Sequence, residues 1–158
     1  MQCVYNRFIL NYFNGVNTII SYNTIWAVEK RVLLSTFIGN VTKDDLVGFA
    51  NTIRELVKQG EHPIYHISNS LQLTKVELSL NALFALVKSV GAISELAWQI
   101  DVNLNPTNKM LAALSSQIMR LRTRTFPSMY DAVTFIKTID DSLVNVTWNI
   151  PEPKEIAP

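Results

Sequence analysis

The stretch Arg31-Val-Leu-Leu-Ser-Thr-Phe-Ile-Gly-Asn-Val-Thr-Lys-Asp-Asp45 holds two elements and the joint between them. Its first eight residues are rich in aliphatic, aromatic and β-branched side chains, which predicts a strand over 31–38. Gly39 allows a sharp exit. Thr42 and Asp45 then carry a helix-start signal. The hydroxyl can accept from a free N–H of the first turn, and the carboxylate three residues on can reach back or favour the helix's positive end. The same signal recurs at Thr74-Lys-Val-Glu77 and Ser128-Met-Tyr-Asp131. A strand that hands over to a capped helix, repeated along a chain, is the punctuation of an α/β domain.

Working outward, residues 17–28 read as a strand joined to 31–38 by a tight hairpin at Glu29-Lys30. The first helix spans 43–59, with Leu46, Phe49, Ala50, Ile53, Leu56 and Val57 on one stripe and Gly60 as its C-cap. Pro63 to Ile67 reads as a short buried strand. The second helix opens at Thr74, turns Leu78, Ala82, Leu83, Leu86, Val87 and Val90 inward, and stops at Gly91. Residues 95–103 alternate as a strand, Asn105-Pro106 opens a third helix, 123–126 is a last strand, and Ser128 caps a last helix ending near Asp140. Residues 1–15 form an arm or short helix, and 141–158, with Pro151, Pro153 and Pro158, an extended tail. The expected architecture is one small α/β domain over 16–140. It has a mixed sheet of four to five strands and about four helices, packed mainly on one face.

The 158 residues are 48% hydrophobic and 17% charged, with a net charge of +1. That supplies a sizeable core and a surface poor in charge, which points to a covered face, a homodimer or a partner site. It does not supply the cationic excess that nucleic acid requires. The single cysteine, Cys3, allows no internal disulfide and fits a reduced, cytoplasmic setting. No run approaches the roughly 20 apolar residues that span a bilayer.

Catalytic and metal signatures do not assemble. His62 and His66, four apart in a strand, would stand about 13 Å from each other, too far to share an ion. They read as one loop histidine and one packed or hydrogen-bonded histidine. No nucleophile elbow, phosphate loop or dinucleotide fingerprint occurs, and no cofactor is implied. Asp101 stands between Ile100 and Val102 and points to the opposite face, either solvated or lining a ligand pocket. Arg120, Arg122 and Arg124 fall at the end of the expected third helix. There cations complement exposed carbonyls or hold an anion or acidic partner. Ser68, Ser70 and Thr74, in the expected loop before the second helix, are candidates for phosphorylation or for anion and partner binding. Trp148, in the tail, is a candidate partner contact.

The chain resembles the STAS domains of sulfate transporters and anti-sigma-factor antagonists, and more closely their SpoIIAA-like relatives. The resemblance rests on Val32 to Thr42, with its strand, Gly39 and Thr42; on Ile64–Ile67 with the serines after it; and on Arg124-Thr-Phe126 followed by Ser128–Ile139. It covers about residues 17–140. It implies a sheet with helices largely on one side, and a protein partner of the kinase and anti-sigma type that phosphorylates a serine at the start of the second helix. The family's aspartate–serine pair with its following glycine is not matched by His66-Ile-Ser-Asn-Ser70. Thr74 is the best positional equivalent, with Ser68 and Ser70 beside it. The expected function is a non-enzymatic regulatory interaction module. The alternative is a carrier or sensor of a lipid-like or apolar ligand, with a pocket between sheet and helices.

Overall fold

The computed structural model describes residues 21–91, 93–105 and 120–151. The expected arm over 1–15 and the body of the expected third helix lie outside them. Five strands form one sheet in the order β1 (Tyr22–Val28), β2 (Val32–Val41), β3 (Ile64–Val76), β4 (Leu96–Val102) and β5 (Thr123–Phe126). β1 pairs antiparallel with β2 through the expected hairpin, with Lys30 at positive φ; the other three pairings are parallel. Helix α1 (Lys43–Val57) joins β2 to β3, α2 (Leu80–Val90) joins β3 to β4, and α3 (Met129–Ile139) follows β5.

The strand order explains where the helices lie. Each parallel step moves one place in the same direction, so right-handed crossovers leave α1 and α2 on one face. There Ile53 and Val57 of α1 pack on Leu33, Ile64 and Leu96. The last helix, α3, is no crossover, and it folds onto the opposite face. Ala132 and Ile136 join Leu34, Ile67, Ile100 and Val102 there. Leu33 and Leu34, adjacent in β2, thus serve different cores, as the two-residue period of a strand requires. The crossover helices share one face as expected, and the terminal helix covers the other.

The cap at Thr42 forms as expected: Asp45 N–H donates to Thr42 Oγ1 at 3.2 Å, and Thr42 N–H to Asp45 Oδ2 at 2.8 Å. Ser128 likewise accepts from Asp131 N–H at 3.1 Å. Thr74 does not cap a helix, which corrects the expected boundary. β3 runs on to Val76, Glu77 N–H bonds Val41 O at 2.8 Å, and α2 is capped at Ser79. The segment from Ser68 to Thr74 is therefore strand. The local helix-start pattern loses to the ladder with β2, in which Ile38, Gly39 and Val41 stand opposite Gln72, Leu73 and Val76.

Two further expectations change. Gly60 is no left-handed cap, since α1 ends at Val57 with Lys58 as C-cap in right-handed conformation. A Cβ at Gly60 would instead collide with Ile64 Cδ1 and lie 3.1 Å from Lys30 O, so the position needs glycine for close approach. Residues 141–151 do not leave the domain as an extended tail. A short 3₁₀ turn (Asp141–Leu143) follows α3, buries Leu143, and is held by Asp140. Trp148 packs on the α3-side core and donates Nε1–H to Leu143 O at 3.1 Å, and Asn149 N–H reaches Ala27 O at 2.7 Å. Trp148 is core material, not a protruding contact.

Candidate functional site

On the face that carries α1 and α2, the strands are apolar at one end and polar across their middle. Ser35 of β2 stands opposite Ser68 of β3, and His66 opposite Gln99 and Ser68 opposite Asp101 of β4. Alternation turns these residues to one side. A row of hydrogen bonds crosses the sheet there: Thr24 Oγ1 to Ser35 Oγ at 2.9 Å, Ser35 Oγ to His66 Nε2 at 2.9 Å, His66 Nδ1 to Gln99 Oε1 at 2.5 Å, and Gln99 Nε2 to Asp101 Oδ1 at 3.1 Å.

The chemistry of the groups fixes the direction of this row. Gln99 Oε1 can only accept, so His66 carries its proton on Nδ1. Its Nε2 is then the acceptor, and Ser35 donates to it. Ser35 in turn accepts from Thr24. Burial disfavours the imidazolium and pushes His66 down to about 4, against a smaller opposing effect of the Gln99 bond; the ring is neutral at pH 7. Burial pushes Asp101 up to about 6, tempered by the bond from Gln99. Phe49 of α1 lies over the imidazole with ring centroids 5.8 Å apart.

Above this row lies a cavity of about 240 Å³ between the sheet and helices α1 and α2. Leu46, Phe49 and Ile53 of α1 and Leu83, Leu86, Val87 and Val90 of α2 form its apolar walls. Its polar floor is His66, Ser68, Ser70, Gln99, Asp101 and Asn103. The β2–β3 ladder slips between Thr36 and Ile38 and again between Gly39 and Asn40. Such bulges bend strands, and Val41, Leu73 and Val76 beyond them also line the cavity. α2 buries none of its residues completely, because its apolar face looks into the cavity instead of a closed core.

Ser35 and His66 have the spacing of a nucleophile and its base. Ser35 is completely buried, however, and does not belong to the cavity wall. A base held near 4 is also weak at neutral pH. The row is suited to positioning and recognition. Among the described residues no group of three or more His, Cys, Asp or Glu side chains is placed to hold a metal. No helix among them is long and apolar enough to cross a membrane.

The expected site residues part company here. Ser68 and Ser70 are half-buried in β3 and face the cavity, and Thr74 is exposed further along the same strand. Arg120 and Arg122 are exposed on either side of Leu121, which does line the cavity. Arg124 sits in β5, its guanidinium 4.8 Å from the Phe135 ring centroid and 5.4 Å from that of Phe126. The three arginines therefore do not make one cluster with the serines. Asp101 is only 8% exposed and lines the pocket, the second of the two roles its position allowed. His62 is exposed and His66 packed and hydrogen-bonded, as their strand spacing implied. Thr24, Ser35, Gln99 and Asn103 belong to the site as well. Their signal is faint: single polar residues at alternate positions of apolar strands, meaningful only once the register is known.

No family model matches the chain, and no curated protein matches it in sequence. Solved structures do match in shape. A protein of the DUF3478 family from Shewanella loihica PV-4, described as having a SpoIIAA-like fold, superposes with a TM-score of 0.52 at 14% identity, over 72% of this chain and 90% of that one. The chain has a SpoIIAA-like, STAS-type fold. The anti-sigma factor antagonist SpoIIAA in its unphosphorylated form matches equally well, with a TM-score of 0.52 at 14% identity, over 73% of this chain and 97% of the antagonist. The STAS-type fold thus accounts for the five-stranded sheet and for α1, α2 and α3.

Proposed function

We propose that this protein is a non-enzymatic STAS-type module that senses or carries a small apolar molecule held between its sheet and α1–α2. The observation that carries the reading is the cavity, with apolar walls from α1 and α2 and a hydrogen-bonded polar row beneath it. A few placed polar groups in an apolar pocket are the usual makings of a small-molecule site. α2 serves as the movable wall: its inward leucines and valines gain packing partners only when the cavity is filled. Occupancy would then tighten α2, and a tightened α2 is a surface a protein partner can read in a reduced cytoplasmic setting.

Native mass spectrometry of the chain purified from its own cells tests this. The expected result is a bound small molecule that denaturation releases. A chain that carries nothing, and that binds no short-chain amphiphile when offered one, would overturn the reading.

A second reading is a partner-binding module, homodimeric or paired with a kinase-like regulator, gated by phosphorylation at Ser68, Ser70 or Thr74. Its support is the likeness in fold to the SpoIIAA antagonist and the exposure of the Thr74 hydroxyl. Arg120 and Arg122, exposed beside the cavity-lining Leu121, would be available to an anionic partner surface. A covalent phosphate on one of the three hydroxyls, or a partner lost on Thr74→Glu, is the expected outcome. Unmodified hydroxyls and indifference to Thr74→Glu would remove it.

A further inference from the structure

One acceptor on the cavity floor has no donor, and a second has room for more than the one it has. Asn103 is 2% exposed, lines the cavity, and its Oδ1 is buried without a hydrogen-bond partner. A buried unpaired oxygen in a folded protein calls for an explanation. Two residues earlier on the same face of β4 stands Asp101, whose carboxylate receives one bond from Gln99 and has capacity for more. Among the described residues the titratable groups of the cavity wall are Asp101 and His66. The fixed tautomer of His66 leaves the imidazole neutral with both nitrogens engaged. Among the described residues, therefore, no cation of the cavity wall faces the Asp101 carboxylate.

We propose that the pocket selects a single-chain amphiphile with a hydrogen-bond-donating, preferentially cationic head, seated between Asp101 and Asn103 Oδ1, with its chain between α1 and α2. A primary ammonium group meets every demand of the site. It supplies the charge Asp101 lacks, and its several N–H donors can serve both oxygens at once. A hydroxyl head would donate one bond without the charge. A carboxylate head would place a second anion beside Asp101, with its donor-poor oxygens facing Asn103 Oδ1. This inference rests on the pocket reading above and specifies what that pocket recognises.

The test compares octylamine, octanol and octanoate for binding to the full chain, followed by calorimetry and by thermal shift. Octylamine is expected to bind about tenfold or more tighter than octanoate, the weight of a charge-assisted hydrogen bond, with octanol between them. Asp101→Asn should erase the preference for amine over alcohol, and Asn103→Leu should weaken both donors while leaving the chain folded by circular dichroism. Octanoate binding as tightly as octylamine to the wild-type chain would overturn the donor-head inference and leave the apolar pocket intact. Failure of all three to bind would overturn the pocket itself. The wild-type comparison decides the question even where a variant does not fold.

Discussion

At the scale of single residues, Asp101 makes the clearest commitment. Its carboxyl is held near 6, above its ordinary 3.8, because burial penalises the charge. A raised acid binds its proton more tightly folded than unfolded, so ionisation weakens the fold. That loss is absent below the ordinary value and fully present above about 6. Asp101→Asn should therefore be more stable than the wild type near pH 7, by about 1–3 kcal/mol, with an advantage that fades on acidification toward pH 4. His66 acts oppositely: with its folded value near 4, below the ordinary 6.5, protonation favours the unfolded chain as pH falls through that window. In the wild type the two effects offset each other between about pH 6 and 4; in the variant the histidine's loss stands alone. Urea unfolding across pH measures both, and a variant less stable than wild type at neutral pH would contradict the burial of that charge. The sequence shows why Asp101 stands out, as a carboxylate inside an apolar strand. It does not show Gln99 as its partner or Ser35 further along the same row, because a hydrogen-bond row draws on four strands whose register no local pattern encodes.

Among elements, the strands and helices whose signals agree were legible. β1, β2, α1, β4, β5 and α3 arise where propensity, periodicity and capping all point one way. β3 and α2 mark where they conflict. Thr74 and Glu77 spell a capping box, but Leu71, Leu73 and Val76 also suit a strand, and nine ladder positions against β2 decide for the strand. The true cap is Ser79, whose hydroxyl accepts from Ala82 N–H at 3.3 Å without an acidic partner. Replacing Ser79 by Ala should cost about 1 kcal/mol, whereas Thr74→Ala, on an exposed strand position, should stay within about 0.5 kcal/mol. Chemical denaturation of the two variants ranks them; the reverse order would return the helix start to Thr74. Gly60 teaches the same lesson in miniature. A glycine after a helix suggests a left-handed cap, yet here the missing Cβ makes room for Ile64 and the Lys30 carbonyl.

At the scale of the whole molecule, one cluster ties the β1–β2 hairpin and the start of β3 to the end of α3. Arg31 Nη2 meets Asp140 Oδ2 at 2.6 Å, Tyr65 OH donates to the same oxygen at 3.1 Å, and Arg31 Nε reaches Pro63 O at 3.1 Å. Burial alone would raise the Asp140 carboxyl. Bonds from Ser142 and Tyr65 and the Arg31 guanidinium together hold it below its ordinary value, while the neighbouring carboxylate pushes Tyr65, already raised by burial, to about 12. Asp140→Ala should cost about 2–3 kcal/mol, because it strands a half-buried guanidinium and a phenol at once. In stopped-flow chevrons the loss should fall on the unfolding arm, with the refolding rate little changed; an equal slowing of refolding would place this cluster in the nucleus. The sheet order gives the reason. Because each strand lies beside its predecessor in the chain, β1 to β5 can be laid down in the sequence in which they leave the ribosome, each new unit docking on an edge already formed. The bonds that tie Arg31 and Tyr65 to Asp140, and Asn149 to Ala27, must wait for the later part of the chain. Synthesis that stops at residue 127 would leave a sheet with α1 and α2 in place and its second face bare.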